Sequence, residues 1–69
     1  MQDRFLELYG ELGPGKVAEI FSALTDVERS PDVVKQWAKS ARKGKPLPDL
    51  VVPWLPSLVR LLEREVRRG

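Results

Sequence analysis

The side chains best suited to chemistry lie between Ser30 and Lys45, where Lys35, Gln36, Lys39, Ser40, Arg42, Lys43 and Lys45 supply ammonium, guanidinium, amide and hydroxyl donors against one acid, Asp32. Groups of these types bind phosphate oxygens and the hydrogen-bonding edges of bases. Val34, Trp37, Ala38 and Ala41 recur at three- and four-residue steps, so they share one helical face and leave the polar donors on the other. The helix has a clear start. Ser30 can N-cap it, Pro31 suits the first position where no N–H is needed, and Asp32 complements the positive terminus. Lys35, Gln36, Lys39 and Ser40 are therefore candidates for base contacts, and Arg42, Lys43 and Lys45 for phosphate contacts. A merely solvated cationic helix face is the competing reading.

Acid-base chemistry has weaker support. Glu7 with Glu11, and Glu63 with Glu65, are the only carboxylate pairs worth considering; the first has no apolar pocket beside it to shift a pKa, and the second diverges around its helix. The chain contains no Cys and no His, which excludes disulfides, Cys/His zinc sites, catalytic thiols and histidine bases. Without a nucleophile-base combination or a phosphate-cradling glycine motif, the expectation is a non-enzyme with no cofactor and no metal.

The elements that must position the basic helix follow from apolar spacing. Phe5, Leu8, Tyr9 and Leu12 form one stripe, with Leu6 beside it, predicting a helix over 2–12 that Gly13-Pro14-Gly15 ends. A second helix runs from about Pro14 or Lys16 to Leu24, with Val17, Ile20, Phe21 and Leu24 inward and Ala18 allowing close approach. Thr25 followed three residues later by Glu28 has the capping-box pattern, predicting a further short helical turn before Ser30. Gly44-Lys45-Pro46-Leu47-Pro48 reads as a loop. The 49–55 stretch, broken by Pro53, reads as irregular chain or one turn pressing Val51, Val52 or Trp54 onto the core. Pro56 and Ser57 open a last helix to about Arg67, with Leu58, Val59, Leu62 and Val66 on its inner stripe, Leu61 widening it, and Glu63–Arg67 as an i,i+4 pair. The sequence thus predicts an all-α fold: a compact bundle of about four helices forming a single domain over residues 1–69.

At 69 residues such a core is modest and dimerisation would help it. Trp37 belongs with the core face, whereas Trp54 either seals the core or joins an exposed contact patch. Leu58, Leu61 and Leu62 are expected to close the core, with part of that helix, together with Trp54, as dimer or partner contacts. Charge is segregated. Residues 1–29 carry three cations against six anions, residues 30–47 five against one, and residues 48–69 four against three. The local positive field over the basic helix can attract a polyanion although the net charge is only +2. Arg60, Arg64, Arg67 and Arg68 could add phosphate contacts or simply solubilise the last helix. The uncharged run 50–59 is too short and proline-broken to span a bilayer, and Asp3 and Glu7 replace the basic start of a signal peptide. The expected setting is cytoplasmic, with no membrane.

Lys16-Val17-Ala18, Ser30-Pro31, Val34, Trp37 and Gly44-Lys45-Pro46-Leu47-Pro48 together resemble the helix-turn-helix unit of small phage regulators in the Cro/repressor-like superfamily, over residues 15–62. The resemblance implies that an Ala-containing helix braces the next, which enters the major groove, in a dimer on two half-sites. Here Ala18 and Val34 stand about six residues further apart than the family's spacing, and the usual turn glycine is missing. Either residues 25–29 expand the turn or Ala23, rather than Ala18, is the brace. The resulting expectation is a sequence-selective duplex DNA-binding transcription regulator, phage-type and dimeric, with residues 31–43 as recognition helix. The alternative is a small protein-binding inhibitor or anti-activator, phage- or host-encoded, that blocks a host protein through Trp54, the 46–56 stretch and the acidic first half.

Overall fold

The computed structural model describes residues 1–68, in which the chain forms α1 (Gln2–Leu12), α2 (Pro14–Thr25), α3 (Pro31–Arg42), a 3₁₀ turn (Val52–Trp54) and α4 (Leu55–Arg68). All four helices exist because each carries one apolar stripe. Phe5 and Leu8 of α1, Val17, Ala18 and Phe21 of α2, Val34, Trp37 and Ala41 of α3, and Leu58, Val59 and Leu62 of α4 meet in one buried cluster. Leu47 and Val51 from the α3–α4 connection complete it. Of the three candidates in that connection, Val51 is fully buried while Val52 and Trp54 stay exposed. The amides of Val51 and Val52 both donate to the Pro48 carbonyl, at 2.8 and 3.2 Å, and the short turn that follows, which contains Pro53, buries the Val51 side chain alone.

Helices α1 and α2 are separated by Gly13 alone, whose φ of 87° and ψ of 163° lie in a region open essentially to glycine. Its amide donates to the Tyr9 carbonyl at 2.8 Å, and its own carbonyl receives Val17 N–H at 3.2 Å. One residue thus closes α1 and opens α2. A Gly13→Ala variant finds free space for its methyl group but must hold that backbone, so it should lose about 1–3 kcal/mol. Thermal melting followed by circular dichroism should fall by roughly 4 °C or more, given the entropy of unfolding of so small a domain.

The connection from α2 to α3 departs from the capping-box expectation. Thr25 is the last residue of α2, and its hydroxyl donates to the Phe21 carbonyl at 2.9 Å while accepting from Val27 N–H at 3.2 Å. Asp26 is left-handed, at φ 59°, and ends the helix. Ser22 Oγ then accepts Arg29 N–H at 3.1 Å and ties the returning chain to α2. No helical turn forms at 25–28 because the Thr hydroxyl is already engaged inside the preceding helix.

Helices α3 and α4 each pack on α1 and α2 rather than on one another. The body they form measures 30 × 23 × 21 Å. On α4, Glu63 does not join Arg67; it accepts from Arg4 Nε of α1 at 3.0 Å. The non-local partner wins because Glu63 lies on the flank of α4 that meets α1, whereas Arg67 projects away from it into solvent. Glu63, chiefly through that hydrogen bond, raises the Arg4 pKa above its ordinary value, with Glu7 adding to the effect.

Candidate nucleic-acid interface

The basic helix is built as its signals dictate. Ser30 is extended, and its carbonyl and hydroxyl both receive Val33 N–H, at 3.1 and 3.4 Å; Pro31 takes the first position. At the other end Gly44 is left-handed, at φ 81°. Gly44 N–H donates to the Ala41 carbonyl at 3.0 Å and Lys45 N–H to the Ser40 carbonyl at 3.1 Å, which is the Schellman closure. Gln2 Nε2 of α1 donates to the Lys45 carbonyl at 2.9 Å, so the loop carrying Lys45 is fastened to the body.

Between these ends Val34, Trp37, Ala38 and Ala41 are buried. Trp37 meets Phe21 edge-on, with ring centroids 5.0 Å apart, which fixes α3 on α2 through two large apolar surfaces. The indole is part of the core. Ala18 is buried beneath this contact region while Ala23 is exposed, so Ala18 is the small residue that lets α2 sit close to its neighbours. The connection between α2 and α3 spans five residues, 26–30, none of them glycine, where a helix-turn-helix uses three or four.

The seven expected nucleic-acid contacts fall on one continuous surface. Lys35, Gln36 and Lys39 are exposed along α3, Ser40 is half-buried at its edge, and Arg42, Lys43 and Lys45 are exposed at its C-terminal end. Cationic charge therefore grows towards the end of the helix. Near the start, Asp32 lies 3.9 Å from Lys35 Nζ and partly offsets it. Arg42 has a second role, because its guanidinium carbon lies 5.6 Å from the centre of the Tyr9 ring on α1, a cation–π contact made while the residue stays exposed. Sequence periodicity placed Arg42 on the outer face but had no means of showing its aromatic neighbour, which lies on a different helix.

The expected partner contacts divide. Leu58 and Leu62 have no exposed surface and are corrected here to core residues: the cluster of Phe5, Leu8, Val17 and Phe21 already covers them. Trp54 is 38% exposed, and Leu50 at 38% and Val52 at 49% beside it in the chain are, with Met1, the large apolar residues left at the surface. Sequence reasoning passed over Leu50 as a surface residue. Its signal was the run of apolar residues on both sides of Val51, more than one short turn can bury. Leu61 is half-buried in a groove of about 290 Å³ between α2 and α4, beside Ile20, Ala23 and Arg64. A second groove, of about 630 Å³, runs along α2 and the 26–31 connection and carries Glu19, Asp26 and Glu28. Neither groove includes a residue of the cationic ridge. Of the carboxylates considered for acid-base work, Glu7 and Glu63 lie 3.3 and 3.0 Å from Arg4 and Glu65 lies 3.6 Å from Lys16, so these three are paired with cations.

No helix among the described residues is long and apolar enough to cross a membrane. No family model, curated protein or solved structure matches the chain.

Proposed function

We propose that the protein is a DNA-binding regulator whose α3 ridge meets duplex DNA, with Lys35, Gln36, Lys39 and Ser40 at base edges and Arg42, Lys43 and Lys45 on phosphates. The observation that carries this reading is an amphipathic helix, capped at both ends and braced by Trp37, whose outer face offers four exposed donors and one half-buried hydroxyl to solvent, with Lys43 and Lys45 exposed just beyond its end. A rigid helix face of that width is what a major groove admits. Since positive charge concentrates towards the C-terminal end, the favoured approach sets that end against the phosphates and keeps Asp32 away from them.

The regulator works as a homodimer in this proposal, with the exposed Leu50, Val52 and Trp54 surface as the contact and the two ridges reading half-sites about 34 Å apart or a multiple of that. The site of action is the cytoplasm of the cell holding the DNA, and a phage origin accords with the resemblance to phage regulators. Selection from random duplex DNA tests the reading directly: a recovered palindromic motif supports both recognition and symmetry, and no enrichment rejects them. With three phosphate contacts per protomer and six per dimer, affinity should fall about 10³-fold between 50 and 200 mM salt, measured by fluorescence anisotropy.

A second reading, a protein-binding inhibitor, has support from the same exposed Leu50, Val52 and Trp54 surface. An interface dominated by those side chains would be nearly indifferent to salt over that range.

A further inference from the structure

Arg60, Arg64 and Arg67 recur at i, i+4 and i+7 on α4 and are all exposed, so they form one row along its outer face. Successive members stand roughly 4.5–6 Å apart along the axis, given the rise per residue of a helix. The two acids of α4 would neutralise this row if they turned towards it. They are held elsewhere: Glu63 by Arg4 of α1 at 3.0 Å on one flank, and Glu65 by Lys16 of α2 at 3.6 Å on the other, with Arg68 at 4.0 Å. Among the described residues no carboxylate lies within 4.0 Å of Arg60, Arg64 or Arg67. The fold thus sorts the charges of α4, placing acids against its neighbours and leaving guanidinium groups to solvent.

The second observation is where this row lies. Helices α3 and α4 each pack on α1 and α2 rather than closely on one another, and each leaves its cationic residues exposed. The α3 ridge and the α4 row share no residue, and among the described residues no acid bridges them. A polyanion held by one therefore leaves the guanidinium or ammonium groups of the other unused.

We propose that the α4 arginine row is a second, sequence-independent phosphate-binding face, so that the protein holds two duplex segments at once, one on α3 and one on α4. This rests on the reading of α3 as the first DNA-binding face. Arginine forks suit phosphate oxygens, and the row carries guanidinium groups alone, without the amide and hydroxyl side chains that accompany the cations of α3. Three phosphate contacts on this face imply that its hold weakens about 40-fold between 50 and 200 mM salt.

The test is retention of a fluorescent duplex of unrelated sequence by beads that carry the selected duplex, with full-length protein added at 50 mM salt. Wild type should load onto the beads and retain the second duplex. The Arg60→Glu/Arg64→Glu/Arg67→Glu variant should load within about threefold of wild type yet lose retention at least tenfold. The corresponding triple Gln variant should show an intermediate loss, and circular dichroism melts of both should match wild type. Wild type that loads without retaining the second duplex overturns the α4 proposal and leaves the α3 reading standing. Undiminished retention by the Glu variant also overturns it, since paired α3 ridges of a dimer would then be bridging. If Lys35→Glu/Lys39→Glu loads as well as wild type, the α3 reading fails, and with it the two-face arrangement. Retention of poly-glutamate in place of the second duplex overturns the proposal in favour of an acidic protein partner.

Discussion

Replacing Lys35 and Lys39 with Glu should abolish specific DNA binding while the protein remains folded. Both side chains are exposed on the outer face of α3, and neither touches the buried face that Val34, Trp37 and Ala41 present to the core. The Ser30 cap, the Pro31 start and the Gly44 closure are all untouched. Stability should therefore change by no more than about 0.5 kcal/mol, the usual range for surface substitutions. Binding should suffer far more. Each change removes a donor from the groove and brings a carboxylate towards phosphates, so a loss of at least about a hundredfold, close to 3 kcal/mol, is expected. Anisotropy titration against the selected site measures this, and a matching circular dichroism melt shows that the fold is intact. Unchanged affinity would remove these residues from the site and leave the exposed Leu50, Val52 and Trp54 surface as the place to look for a partner.

The largest effect on stability is expected at Phe21. Its ring is fully buried, stands edge-on to Trp37 at 5.0 Å, and joins α2 to α3. Truncation to Ala should cost about 3–5 kcal/mol through lost burial and an unfilled cavity. A single core of this size supplies roughly the same amount in total. The Phe21→Ala protein should therefore be largely unfolded at 25 °C, with weak helical circular dichroism and no cooperative melt. Loss of DNA binding should follow, because the outer face of α3 is held in place only from behind. A variant that still melts cooperatively within a few degrees of wild type would show that Trp37 has enough other partners to anchor the helix.

Much of the architecture was legible in local patterns. The bounds of α1 and α3, and the start of α2, follow from apolar steps of three and four residues together with Gly13, Pro14, Ser30, Pro31 and Gly44, each of which acts on its own few neighbours. The outer face of α3 was legible for the same reason: a helix sorts inner from outer residues by angle alone. Where two local options competed, the pattern misled. Thr25 and Glu28 had the spacing of a cap, but the Thr hydroxyl had a nearer use at the Phe21 carbonyl. Glu63 had a suitable Arg67 one turn on, but a better placed Arg4 came from 59 residues away.

The amino-acid sequence by itself determined that this chain forms helices, where they begin, and which side of each is apolar, because capping, proline geometry and helical periodicity act within a few residues. Only the tertiary structure decided what those faces meet. Leu58 and Leu62 were left with no surface for a partner while Trp54 remained outside, Arg42 came to rest over Tyr9, and Glu63 and Glu65 were drawn to Arg4 and Lys16 on other helices. Those outcomes depend on how apolar stripes from distant segments share one small interior. A stripe specifies that a helix must pack, but not which helix it packs against or which charges its flanks will find there.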